Sequence, residues 1–129
     1  MADMGVRGIG PTREAAFEAA ALAVCATITD PTLVRPNVLV EVDCHSQDDE
    51  LLLVDWLNAL IGEMSARRMI FSKFEVHIED GQLHGRAWGE QADPARHHPA
   101  VEVKGATMTE LKVTRGQDGL WTAQCVVDV

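Results

Sequence analysis

The sequence predicts one α+β domain, two helices packed on antiparallel or mixed β-sheets. Three observations carry that expectation. Two stretches, residues 17–28 and 52–64, repeat apolar residues at three- and four-residue spacing, the period of an amphipathic helix. Others alternate apolar and polar residues, the period of a half-buried strand. No repeat, low-complexity segment or linker divides the chain, so residues 1–129 are expected to form a single domain.

Pro11-Thr12 opens the first helix, with Thr12 as N-cap and Glu14 favourably placed in the first turn. Phe17, Ala20, Ala21, Val24 and Ile28 form its apolar stripe, and Asp30-Pro31 ends it. Its many alanines imply close packing against a neighbour. Residues 37–44 alternate, with Val38, Val40 and Val42 on one face and Glu41 and Asp43 on the other. Ser46 and Asp49 resemble a capping box for the second helix, Asp standing where Glu or Gln is preferred. That helix carries Leu52, Leu53, Trp56, Leu57, Leu60, Ile61 and Met64 on one wide face.

Residues 74–88 read as a hairpin around Asp80-Gly81 in a type I′ turn. Pairing Glu79 with Gln82 sets Val76, Ile78, Leu83 and Ala87 on one face and brings His77 opposite His84 on the other. Trp88 is assigned to the core, and Gly89 to a backbone kink. Residues 93–99 form a Pro-containing loop, and the run after it is strand-like with Lys104 inside it. A last hairpin spans 111–129 around Gly116-Gln117-Asp118-Gly119, with Trp121, Ala123, Cys125 and Val127 on one face and Thr122, Gln124 and Asp128 on the other.

Composition removes several function classes. A 129-residue chain that is 47% hydrophobic buries roughly two thirds of its unfolded surface without needing a metal or disulfide. A net charge of −9 argues against direct nucleic-acid binding, which rests on Lys and Arg neutralising phosphates. It suits a basic partner instead. Cys25, Cys44 and Cys125 are too far apart for a CxxC motif and read as reduced thiols. There is no apolar signal region and no membrane-length apolar run, so a cytoplasmic, non-membrane protein is expected. The phosphate-binding glycine motifs and the nucleophile elbow are also missing.

One set of segments is more specific. Trp88-Gly89-Glu90, Asp93-Pro94-Ala95-Arg96-His97-His98-Pro99 and Val101-Glu102-Val103-Lys104-Gly105-Ala106-Thr107 lie between an opening Ala2-Asp3-Met4-Gly5 and a closing Val127-Asp128-Val129. Thr12-Arg13-Glu14-Ala15-Ala16-Phe17, Ile28-Thr29-Asp30-Pro31 and Leu52-Leu53-Val54-Asp55-Trp56-Leu57-Asn58 stand in register with them. In this order they resemble the archease family, small acidic proteins that assist the RtcB-type tRNA-splicing RNA ligase. The resemblance covers nearly the whole chain and implies an archease-like fold. Archeases usually open on a short strand with a His-Thr-Ala-Asp motif, where this chain has Met1-Ala2-Asp3. The motif's His and most of the first strand are therefore expected to be absent, and Asp3 to be loosely held.

The resemblance implies a non-enzymatic activator that promotes guanylylation of the ligase and its multiple turnover in tRNA splicing and RNA repair. It implies a divalent metal ion, Ca²⁺ or else Mg²⁺ or Mn²⁺, held by Asp3, Asp128 and the α-carboxylate of Val129. Clustered carboxylates are what such hard cations take. It makes Lys104 the functional residue of the Glu-Val-Lys motif, placed to hold a phosphate or an acidic group of the ligase, with Glu102 orienting it. The residues alone also permit blander readings, in which Asp3 and Asp128 are solvated end residues and Lys104 a surface lysine. The alternative function is a general chaperone or a modulator of nucleic-acid-modifying enzymes; a small metal-dependent hydrolase is a third. His97 and His98 read as structural or surface residues, and His77 with His84 as half of a Zn²⁺ site at most. Glu90 receives no role.

Overall fold

A computed structural model describes residues 3–129; Met1 and Ala2 lie outside the described residues. Thr12 begins helix α1 (Arg13–Ile28) as its spacing predicts, its hydroxyl accepting from the Ala15 amide at 3.0 Å. Asp30 then caps a short 3-10 turn, Pro31–Leu33. Strand β1 (Asp3–Gly10) precedes the helix and lies close along it. A Cβ added at Gly8 would fall 2.2 Å from the Ala16 carbonyl oxygen, so only glycine permits this approach. The small Ala16 and Ala20 serve the same contact, and both are fully buried.

The expectation that Asp3 is loosely held is not met. All eight residues of β1 pair in antiparallel register with β7 (Trp121–Asp128), from Asp3↔Asp128 to Gly10↔Trp121. Its alternation is hard to read because three of the residues are glycines and the inward set, Val6, Gly8 and Gly10, is mostly side-chain-free.

Strand β2 (Val38–His45) and helix α2 (Asp49–Arg67) follow. The helix is capped by Asp48, not by Ser46. The Asp48 carboxylate accepts from the amides of Glu50 and Leu51, while Ser46 Oγ accepts from the Asp48 amide. Asp49 is thereby free to pair with Arg13 at 2.7 Å, tying the starts of the two helices together.

Strands β3 (Met69–Glu79) and β4 (Gln82–Gln91) form the expected hairpin. Asp80 and Gly81 both have positive φ, and Glu79↔Gln82 and His77↔His84 are in the expected register. The hairpin is longer than its alternation suggests, since a bulge between Phe71 and Lys73 breaks the period of two. Gly89 lies opposite that bulge, where a Cβ would come 1.9 Å from the Ile70 carbonyl oxygen. Trp88 is not a core residue. It is half-buried on the outer face with His84 and Arg86, because β4 alternates without a break and buries Leu83, Gly85, Ala87 and Gly89, and the ammonium of its cross-strand partner Lys73 lies 4.7 Å from its ring centroid.

A single turn, α3 (Pro94–His97), interrupts the 93–99 loop. The strand-like run after it is mostly not a strand: only β5 (Gly105–Ala106) pairs with β7, opposite Asp128 and Val127. Strand β6 (Lys112–Arg115) pairs with the earlier part of β7, completing the last hairpin as expected. One sheet is thus β1–β7 with β5 and β6 sharing the other edge of β7, and the second is β2–β4–β3. Every pairing is antiparallel, so the mixed alternative does not occur among the described residues.

Both helices touch both sheets, and one continuous core runs between them. Trp56 of α2 sits at its centre, fully buried, its indole N–H donating to the Phe17 carbonyl at 3.1 Å. Gly85 of β4 makes room for it, since a Cβ there would lie 2.2 Å from the ring.

Candidate functional site

Register brings the carboxylates together. Asp3 and Asp128 are cross-strand partners at one end of the β1–β7 ladder. Directly opposed residues lie with Cα atoms about 4.5–5.5 Å apart and side chains on the same face. The face is the outer one, because Val6, Gly8, Ala123 and Cys125 point the other way into the core. Asp3 is exposed and Asp128 partly so. Like charges so opposed are destabilising, and a cation between them offsets the repulsion.

Val129 follows Asp128 with its side chain packed against the core, which fixes the backbone at this corner. On the other side of β7 the Lys104 amide donates to the Asp128 carbonyl at 2.8 Å, immediately before Gly105 pairs with Asp128. Lys104 is exposed and Val103 beside it is buried, so the lysine is held at its backbone, and among the described residues its ammonium makes no ion pair. The backbones of Asp3, Asp128, Val129 and Lys104 therefore lie together at one corner of the sheet. Glu102 is exposed two residues away on irregular backbone, so no strand face sets it beside Lys104.

Asn58 also serves this corner, although the spacing of α2 marks it only as a break in an apolar helix. Its side-chain oxygen accepts from the Ala106 amide at 2.8 Å and its nitrogen faces the Ala106 carbonyl at 3.5 Å. The amide group thus pairs with the β5 peptide as a neighbouring strand would. A polar residue at that position of the helix was the only sequence signal for it.

The donors at the corner are anionic oxygens, the chemistry that hard divalent cations take. Their number is small. Among the described residues, no three Asp, Glu, His or Cys side chains gather closely enough to hold a metal ion. Two opposed carboxylates fit one edge of a coordination shell and leave the remaining positions to other oxygens.

The remaining histidines and cysteines do not add a centre. His84 faces Asp43 at 2.8 Å and Glu41 at 3.4 Å across the β2–β4 pair, and the Asp43 hydrogen bond raises its pKa above the ordinary imidazole value. His77, its cross-strand neighbour, lies 3.6 Å from Glu79. These are acid–base pairs on an exposed face rather than a Zn²⁺ ligand set. Burial pushes the Cys25 thiol up to about 12, and burial with Asp55 and Asp43 pushes Cys44 up to about 11, so neither is a ready nucleophile.

A second polar cluster, absent from the sequence reading, surrounds Glu90. Its Oε2 accepts from Arg96 Nη2 at 2.5 Å, the Arg35 amide at 2.8 Å and His97 Nε2 at 3.0 Å. Arg96 first, then the Arg35 amide and His97, hold the Glu90 carboxyl down at about 2. The His97 ring is fully buried, and its Nδ1 accepts from the Asp93 amide at 2.8 Å, which leaves the ring hydrogen on Nε2 facing Glu90. The expectation of a structural His97 holds, and His98 is exposed.

Comparison with known proteins places the fold. The model of the Archease protein family (MTH1598/TM1083) matches residues 1–129. Protein archease of Pyrococcus furiosus is 39% identical over 132 residues, covering 99% of this chain and 93% of that protein. That of Sulfurisphaera tokodaii is 37% identical over 130 residues, with the same coverage. The solution structure of Methanobacterium thermoautotrophicum protein 1598 superposes with a TM-score of 0.85 at 34% identity, covering all of this chain and 94% of its own. A crystal structure from Thermotoga maritima, described as an archease and possible chaperone, gives 0.66 at 16% identity over 98% of this chain and 90% of its own, and so speaks to the fold alone. The chain belongs to the archease family.

Proposed function

We propose that this protein is a non-enzymatic activator of an RtcB-type RNA ligase, promoting ligase guanylylation and repeated turnover in tRNA splicing and RNA repair. The observation that supports this best is the meeting of Asp3, Asp128 and Lys104 at one exposed corner. Such a corner presents carboxylates and an ammonium outward, toward a partner, instead of enclosing a substrate. Asp3, Asp128 and the Val129 carboxylate hold a divalent cation, Ca²⁺ or else Mg²⁺ or Mn²⁺, and the partner or its phosphates supply the missing oxygens. Lys104 holds a phosphate or acidic group of the ligase. The contribution to rate is positioning and electrostatics, with no covalent step in this chain.

The chaperone alternative asks for gathered apolar surface. The exposed large apolar residues are spread over several elements, among them Ile9 on β1, Leu22 on α1, Val38 and Leu39 on β2 and Met108 after β5.

The test is RNA ligation at limiting ligase, with substoichiometric amounts of this protein. Turnovers per ligase should rise, and neither ligation nor nucleotide hydrolysis should occur without the ligase. An unchanged yield per ligase sinks the proposal. Asp128→Asn should remove activation at nearly unchanged thermal stability.

A further inference from the structure

Residues 92–104 form a strap that carries Glu102 and Lys104 and has no regular structure apart from α3. Its inner wall is only partly packed. Beneath it lies an apolar cleft of about 230 Å³, bordered by Ile28, Ile61, Met64, Met69 and Ile70 from the helices and β3, and by Val103 from the strap. Val103 is buried in the core and Val101 packs against it, so the apolar anchorage of the strap is confined to these two residues, and the open cleft leaves the rest of its inner side without such contacts.

Hydrogen bonds hold the remainder, and they concentrate at the end far from Lys104. Glu90 Oε2 takes its three donors from Arg35, Arg96 and His97. The Thr29 hydroxyl donates to the His97 carbonyl, Arg96 Nη1 donates to the Leu33 carbonyl at 2.7 Å, and the Ala100 amide donates to the Ile28 carbonyl at 2.8 Å. These contacts join the strap to β4, the end of α1 and the 3-10 turn. At the other end, the Lys104 amide is bonded to Asp128.

We propose that Glu90 and His97 are positioning residues for Lys104: their hydrogen-bonded lock fixes one end of the strap and thereby sets where Lys104 stands against Asp128. Glu90 and His97 touch neither the metal nor the partner. They act by removing the strap's freedom to slide over the cleft, so that the ammonium is already in place when the partner arrives. The consequence for activity rests on the ligase reading above; the geometric effect does not.

Two measurements separate these. In the first, backbone amide exchange is followed at pH 7 in the wild-type protein, Glu90→Gln, His97→Ala and His97→Gln. The Lys104 amide should exchange about tenfold faster in Glu90→Gln and His97→Ala, while central amides of β3 and β4 stay within about twofold. His97→Gln, whose side-chain amide stands near the lost Nε2–H, should recover most of the protection. A Lys104 amide unchanged in Glu90→Gln, or an equal acceleration of every amide, overturns the proposal. In the second, ligase activation is measured for Glu90→Gln, Lys104→Ala and the double variant. Glu90→Gln should cost about fivefold alone and nothing further beside Lys104→Ala, as expected for residues acting through one another. Independent, multiplying losses overturn it. If the wild-type protein does not activate the ligase, the ligase reading falls and the exchange experiment alone decides the lock.

Discussion

Asp3 stands directly across the ladder from Asp128, on the same outer face of the β1–β7 pair. A full strand, not a frayed end, delivers it there. Asp3→Ala and Asp128→Ala should therefore weaken divalent-cation binding to a similar degree. Calorimetric titration with Ca²⁺ or Mn²⁺ checks this. A loss confined to Asp128→Ala would mean that Asp3 is no ligand despite its register.

Lys104→Ala should abolish most ligase activation and shift unfolding by no more than about 0.5 kcal/mol, the usual range for an exposed side chain away from special features. The bond to Asp128 comes from the backbone of residue 104 and survives the substitution. Denaturant unfolding together with a ligation assay checks both halves. A destabilised variant would show that the ammonium has a structural partner.

The Glu90 carboxyl sits at about 2 against an ordinary value of 4.5, held down first by Arg96. A depressed folded-state pKa stabilises the fold above the unfolded value, and that stabilisation is lost as pH falls through the folded value. Stability should consequently decline from about pH 4.5 toward pH 2. In Glu90→Gln the decline should be shallower, because no charge remains to be titrated at residue 90. Urea unfolding midpoints at pH 6, 4 and 2.5 measure it, and parallel declines would assign the acid sensitivity to other carboxylates.

Two glycine substitutions should part company. Gly85→Ala drives a methyl to within 2.2 Å of the Trp56 ring, which is fully buried and held by the Phe17 carbonyl. Overpacking of this kind costs about 1–3 kcal/mol. Gly5→Ala meets nothing within 4 Å on an exposed strand position and should be neutral or slightly stabilising. Thermal melts of the pair provide the comparison.

The legible parts of this fold are those with a strict period. The helices, the β3–β4 register and the last hairpin follow directly from alternation, capping and turn chemistry. Elements whose pattern is erased were not legible from residues alone: β1, glycine on its inner face, and the start of β3, where a bulge shifts the phase. Of the candidate site, the Asp128 side of β7 could be read from alternation, but its partner Asp3 came from family resemblance. The Glu90–His97 lock joins residues on β4 and α3 to the end of α1, contacts that no local spacing encodes. Asn58 is similar, since its strand-like grip on Ala106 depends on where a separate element lands.

The β1–β7 ladder also sets an order of assembly. Its cross-strand partners, such as Arg7 and Gln124, are 117 residues apart, whereas β2, α2, β3 and β4 are contiguous and make one sheet with a helix on it. Loops that long close late, because their entropy is spent before any contact offsets it. The β2–β4–β3 sheet is then the early folding unit, and the sheet bearing Asp3 and Asp128 is the last to form. A refolding chain would acquire the β2–β4–β3 register before it acquires the acidic corner, and the Asp3–Asp128 pairing would report the final step of folding.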